Sequence, residues 1–187
     1  GVCVDSSGVM IPGYWKNGTW NGLPLLDVTK DGWTSSLVVD GADVYAGGYC
    51  GNSSMEDVPG YWKNGTWNGL PPLDATKRAL VSSLVVDGSD VYTGGYCRNS
   101  SGVMVPGYWK NGTWNGLPPL DATEDAEVYS LVVDGADVYA GGYCFNSSGF
   151  SVPGYWKNGT WHGLTPIDAT NDAWVYSMDV NGTDVYA

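Results

Sequence analysis

Short apolar runs separated by turn signals recur along this chain, and no segment sustains a helical period. Ser36-Leu37-Val38-Val39 is rich in β-branched residues and runs into Asp40-Gly41, a turn dipeptide. A second strand is predicted over Asp43–Cys50, carrying Val44, Tyr45 and the pair Gly47-Gly48. The polar run Asn52-Ser53-Ser54 makes a loop, and Val58-Pro59-Gly60-Tyr61-Trp62 a third strand. Asn64-Gly65 is a tight hairpin turn, because both positions need positive φ. Thr66-Trp67 forms a short fourth strand, after which Leu70-Pro71-Pro72-Leu73 leaves the sheet. The pattern predicts four antiparallel strands in meander order.

The whole pattern then repeats. PGYWKNGTW begins at Pro12, Pro59, Pro106 and Pro153, each start 47 residues after the last. Units 12–58, 59–105 and 106–152 align without a gap; the fourth runs over 153–187 and its remainder is matched by 1–11. Four units need 188 positions against the chain's 187, and the absent position is the equivalent of Gly47. One unit cannot bury its own apolar face, so neighbours must pack, and residues 1–187 are expected to form a single domain. The expected fold is all-β: a four-bladed β-propeller built from four 47-residue repeats, its ring closed by pairing of the N- and C-terminal segments. The closing blade would take its first strand from Tyr176–Val180 and split its second between Asp184–Ala187 and Gly1–Val4. Its last two strands would lie near Tyr14-Trp15 and Thr19-Trp20. The same ends could instead pair between molecules and build a polymer.

The order Asp43-Val44-Tyr45, Gly47-Gly48, Tyr61, Trp67, Leu70-Pro71 resembles the kelch motif, with its diglycine at the end of the second strand, spaced Tyr and Trp, and Leu-Pro exit. The resemblance covers all four repeats and implies a propeller whose Tyr and Trp pack between blades. The YWKNG segment is also similar to repeats of uncharacterised bacterial surface proteins.

Charge narrows the partners. A net charge of −12 disfavours nucleic acid, whose phosphates need Lys and Arg, and an anionic membrane surface. No apolar run is long enough to span a bilayer as a helix. The chain starts at Gly1 rather than Met, as a processed mature chain or an excised fragment would. Asn-x-Ser/Thr sequons at Asn17, Asn52, Asn64, Asn99, Asn111, Asn146, Asn158 and Asn181 are candidate glycosylation sites in a secretory pathway, and the expected location is extracellular or the cell surface. Cys3, Cys50, Cys97 and Cys144 occupy one place in the repeat. Equivalent positions in a ring of blades lie beyond the ~7 Å that a bridge allows, so free buried thiols are expected, with bridges between molecules the alternative.

Near-identical repeats offer little catalytic chemistry. His162 is the single histidine and replaces Asn21, Asn68 and Asn115, so no Ser/His/Asp or Cys/His set can be built around a second one. No enzyme, metal or cofactor is expected. The recurring Asp27, Asp74, Asp121 and Asp168, and the pairs Asp40/Asp43, Asp87/Asp90 and Asp134/Asp137, read as turn residues rather than calcium ligands. The aromatics are the better candidates. Trp20, Trp67, Trp114 and Trp161 recur at a strand tip, mostly as core material, but able to stack on a sugar ring.

Differences between repeats cluster in two loops. One comprises residues 30–33, 77–80, 124–127 and 171–174; the other Met55-Glu56-Asp57, Gly102-Val103-Met104 and Gly149-Phe150-Ser151. Alternating strand direction places both on one face of the propeller. Trp33, Trp174 and Phe150 are large apolar groups there and are the candidate binding residues. The expected function is a secreted, non-enzymatic binding module, carbohydrate-binding (lectin-like) with several equivalent weak sites combined by avidity. The alternative is a structural subunit of an extracellular fibre or surface layer. Expected partners are a glycan or protein ligand, or further copies of the chain.

Overall fold

A computed structural model describes residues 1–54 and 56–187. Three complete blades follow one another as four-stranded antiparallel meanders. The first holds β4 (Gly32–Asp40), β5 (Asp43–Gly51), β6 (Asp57–Lys63) and β7 (Thr66–Gly69). The second holds β8 (Ala79–Asp87), β9 (Asp90–Arg98), β10 (Met104–Lys110) and β11 (Thr113–Gly116). The third holds β12 (Ala126–Asp134), β13 (Asp137–Phe145), β14 (Ser151–Lys157) and β15 (Thr160–Gly163). Before them stands a half-blade of β1 (Val2–Val4), β2 (Met10–Lys16) and β3 (Thr19–Gly22). After them comes the hairpin β16 (Asp179–Asn181) and β17 (Asp184–Tyr186). The first strand of each complete blade lies across the strands of the blade before it, β8 on β4–β6 and β12 on β8–β10, in a β-propeller-like arrangement.

Local chemistry explains the blade. At the Asn-Gly turn of each PGYWKNGTW segment both residues take positive φ, as at Asn64 (50°) and Gly65 (80°). Asn64 Oδ1 accepts the Val44 N–H at 2.9 Å and its Nδ2 donates to Asp43 at 2.8 Å, while Lys63 Nζ pairs with the same carboxylate at 2.9 Å. The second hairpin is thereby tied to the first. The strands β4, β8 and β12 each carry a bulge, at Ser35, Ser82 and Tyr129, where the register shifts by one residue. The extra residue lets Val81 and Leu84, three apart, both point into the first blade. Gly47 makes room for them: a Cβ there would stand 3.0 Å from Val81 Cγ1 and 3.2 Å from Leu84 Cβ. Its neighbour Gly48 serves the blade's own sheet, because a Cβ would run into the Trp33 carbonyl.

Each joint between blades repeats one set of contacts. Trp62, Trp109 and Trp156 are fully buried. Their indole N–H groups donate to the carbonyls of Pro24, Pro71 and Pro118 in the preceding exit segment at 2.9, 2.8 and 2.8 Å. Ser36, Ser83 and Ser130 hydroxyls accept the N–H of Leu84, Leu131 and Met178 at 3.0, 3.0 and 3.1 Å, linking successive first strands. The joint between the first two complete blades also shows a matched exchange. Asp31, Asp125 and Asp172 accept backbone N–H groups of Met10, Met104 and Ser151, whereas Arg78 takes the Asp position and pairs with Asp57 at 2.6 Å.

Several boundaries differ from expectation. β4 begins at Gly32 rather than Ser36, because the bulge carries the ladder past Ser35. The strand expected at Tyr176–Val180 is reduced to Asp179–Asn181, since its partner β17 is three residues long. Among the described residues no strand register joins β17 to β1 or β2. All four cysteines are free; Cys50, Cys97 and Cys144 are buried, and burial pushes their thiols up to about 11, 12 and 12.

Candidate functional site: clefts between the blades

Antiparallel order gathers the exit segments and the loops after β5, β9 and β13 at one end of the blades, with the Asp-Gly and Asn-Gly turns at the other. At the first end, cross-strand register sets Trp33 opposite Tyr49, Leu80 opposite Tyr96 and Glu127 opposite Tyr143. Residues directly opposite share a sheet face, so each blade offers a pair of side chains next to its bulge residue.

Between the first two blades these groups line a cleft of about 320 Å³, formed by Trp33, Ser35, Tyr49, Leu80, Val81 and Ser82. Trp33 is 39% exposed. Ser35 Oγ donates to the Val81 carbonyl at 2.6 Å. Arg78, anchored on Asp57, stands 5.9 Å from the Tyr49 ring centroid. The cleft therefore offers an aromatic wall and hydroxyls, with a guanidinium near the Tyr49 ring.

The next joint carries a different set. Arg98 stands 5.9 Å from the Tyr96 ring and donates from Nη1 to the Gly102 carbonyl. The Ser82 hydroxyl donates to Glu127 Oε1 at 3.2 Å. Burial pushes the Glu127 carboxyl up to about 7, against the pull of Ser82, Tyr129, Arg78 and Arg98. At the third joint, rings occupy the corresponding positions. Tyr129 stacks on Tyr176 at 5.0 Å and lies 5.8 Å from Tyr143, with Phe145 edge-on to Tyr143 at 5.5 Å and Trp174 6.3 Å from Tyr176.

Of the residues singled out in the sequence, Trp33 lines the first cleft and Trp174 extends the aromatic row at the third joint. Trp33 lies within β4 rather than in a loop. Phe150 is half-buried in a separate loop, its N–H bonded to Asn146 Oδ1 at 3.1 Å, and Phe145 takes the ring contact instead. Met55 lies outside the described residues. Trp20, Trp67, Trp114 and Trp161 sit on the last strand of their sheets, 4.4–4.5 Å from the rings of Trp15, Trp62, Trp109 and Trp156. Gly60 passes under the Trp67 ring.

The sequon asparagines divide into turn and loop positions. Asn64, Asn111 and Asn158 donate their Nδ2 to Asp43, Asp90 and Asp137; Asn17 has the same turn geometry. Asn52, Asn99 and Asn146 use Oδ1 to accept N–H groups of their own loops, and Asn181 ends β16. Asp27, Asp74, Asp121 and Asp168 accept from Thr29, Thr76, Thr123 and Thr170, which holds their carboxyls below the usual range. His162 stacks on Tyr155 at 5.0 Å. Sequence reasoning missed Tyr49, Tyr96 and Tyr143, and the replacement of Ser35 and Ser82 by Tyr129 and Tyr176. Comparing the units at the bulge position alone would have shown that replacement.

No family model matches the chain, and no curated protein matches it. Among solved structures it is similar to a fucose lectin from Kordia zhangzhouensis, solved in complex with methyl-fucoside. The two share 15% identity over 71% of this chain and 99% of that one, with a TM-score of 0.50. The likeness is one of fold.

Proposed function

We propose that this protein is a non-enzymatic carbohydrate-binding module of the extracellular space or cell surface, binding at the first two joints between blades, chiefly at the cleft of the first. The observation that carries this is the lining of the first cleft: Trp33 and Tyr49 beside Ser35 and Ser82, with Arg78 nearby, 5.9 Å from the Tyr49 ring centroid. A pyranose has an apolar C–H face and a rim of hydroxyls. An aromatic wall takes the first, while fixed hydroxyls, a guanidinium and a carboxylate such as Glu127 take the second. The lectin of similar fold adds support, since that protein is solved with a sugar derivative.

The sites in this reading are related but not equivalent. Position 33 of the repeat carries Trp, Leu, Glu and Trp in turn, and the third joint is filled by its own rings. Weak binding at two joints would still combine through avidity on a multivalent surface. The kelch-like reading of the repeat and the secretory location belong to the same proposal. Probing a glycan array with the labelled chain tests it: selective retention on a group of related glycans is expected, and no retention on any glycan would remove the proposal.

A further inference from the structure

One hydroxyl at the candidate end of the blades serves two joints at once. Ser35 and Ser82 are the bulge residues of β4 and β8, and both line the first cleft. Ser35 Oγ donates to the Val81 carbonyl at 2.6 Å and lies 3.2 Å from that of Gly47. Its one proton is spent on backbone, so its oxygen offers the cleft only lone pairs. One repeat later the equivalent carbonyl is that of Val128, yet the Ser82 hydroxyl donates to Glu127 Oε1, at 3.2 Å. Trp33, Leu80 and Trp174 hold the place of Glu127 in the other units and carry no carboxylate.

The charge of Glu127 decides what Ser82 shows to the cleft. An ionised carboxylate only accepts, so Ser82 donates to it and keeps its own lone pairs for the cleft, beside those of Ser35. The bond is charge-assisted and polarises the hydroxyl, which strengthens whatever the Ser82 oxygen accepts. A hydroxyl on the rim of a pyranose stacked on Trp33 can donate to that oxygen. A neutral carboxyl carries its own O–H, which takes up a Ser82 lone pair and removes the charge assistance.

Other groups reach Glu127 from both blades. Burial pushes its carboxyl up to about 7, while Ser82 and Tyr129 draw it down by hydrogen bonding and Arg78 and Arg98 by charge. Tyr96 of the second blade and Tyr143 of the third also feel its charge. Burial pushes the phenols of Tyr96, Tyr129 and Tyr143 up, so they stay neutral near pH 7 while Glu127 changes charge. Asp125, which acts on Tyr143, accepts the Met104 N–H at 2.7 Å.

We propose that Glu127 is a positioning residue for the first cleft: it takes the Ser82 proton and so presents the Ser82 oxygen to a bound sugar, and protonation of the carboxylate weakens binding there. This rests on the sugar-binding reading of that cleft. Titration with the methyl glycosides of galactose, mannose, fucose and N-acetylglucosamine, followed by NMR at about pH 8 and about pH 5.5, tests it on wild type, Glu127→Gln and Ser82→Ala. Circular dichroism checks that each protein is folded at both pH values. Wild-type affinity for the glycoside bound most tightly should fall about fivefold at the lower pH, the difference between a charge-assisted and a neutral hydrogen bond. Glu127→Gln should bind equally at both pH values, since Gln accepts from Ser82 without titrating. Ser82→Ala should bind more weakly and lose the pH dependence. A flat wild-type profile, or the wild-type profile retained in either variant, would overturn the proposal and leave the sugar-binding reading standing. No binding of any glycoside at either pH would remove that reading, and the proposal with it.

Discussion

Glu127 makes stability depend on pH in a way that one substitution isolates. Its carboxyl lies at the joint between the second and third complete blades, accepts from Ser82 at 3.2 Å and is pushed by burial up to about 7. An unfolded chain holds it at ~4.3, and each unit of difference corresponds to about 1.4 kcal/mol, so the shift bounds the effect at about 4 kcal/mol. Glu127 is only partly buried, and solvent screening reduces this to about 1–2 kcal/mol. The folded state holds the proton more tightly than the unfolded state. The contribution is therefore fully present below the unfolded value and is lost as pH rises through about 7. Glu127→Gln keeps an acceptor for Ser82 and removes the ionisation. Urea unfolding of both proteins at about pH 4 and about pH 8 should show near-equal stability at the lower pH and a variant more stable by about 1–2 kcal/mol at the higher. A difference that does not change between the two pH values would refute the burial of this carboxyl.

Other substitutions separate packing from recognition. Trp109→Ala empties a fully buried site and orphans the Pro71 carbonyl, and should cost about 3–5 kcal/mol by urea unfolding, whereas Trp33→Ala should cost under about 1 kcal/mol. Equal costs would mean that Trp33 is a packing residue. Thr93 is buried with its hydroxyl unpaired where the neighbouring blades carry Ala46 and Ala140. Thr93→Ala should therefore leave stability unchanged or raise it by up to about 1 kcal/mol, and a clear loss would show that the hydroxyl has a partner. Thiol titration of the denatured, unreduced chain should find all four cysteines, and the native chain should react slowly at Cys50, Cys97 and Cys144; fewer than four would reveal bridges.

The strand order was legible because Asp-Gly and Asn-Gly turns delimit each apolar run, and the 47-residue period repeats them. The bulge was not. Alternation of period two cannot register an extra residue, and Ser82-Ser83 between Val81 and Leu84 looks like the edge of a strand. That one position also hid part of the candidate site, since Tyr129 and Tyr176 occupy it in the third and fourth units. Tyr49, Tyr96 and Tyr143 follow the diglycine and read as core; Tyr96 and Tyr143 are buried, and register sets all three opposite the varied residues Trp33, Leu80 and Glu127. Variation between the repeats singled out the candidate binding end, because the turns at the other end are held by φ requirements that only Asn and Gly meet readily.

The central claim is that the first cleft binds sugar through Trp33. Isothermal titration of wild type and Trp33→Ala with the glycan best retained on an array tests it most directly. Trp33→Ala should keep the wild-type melting temperature while weakening binding by about tenfold or more, the equivalent of about 1.4 kcal/mol of lost contact. Unchanged affinity in a folded variant would contradict the account.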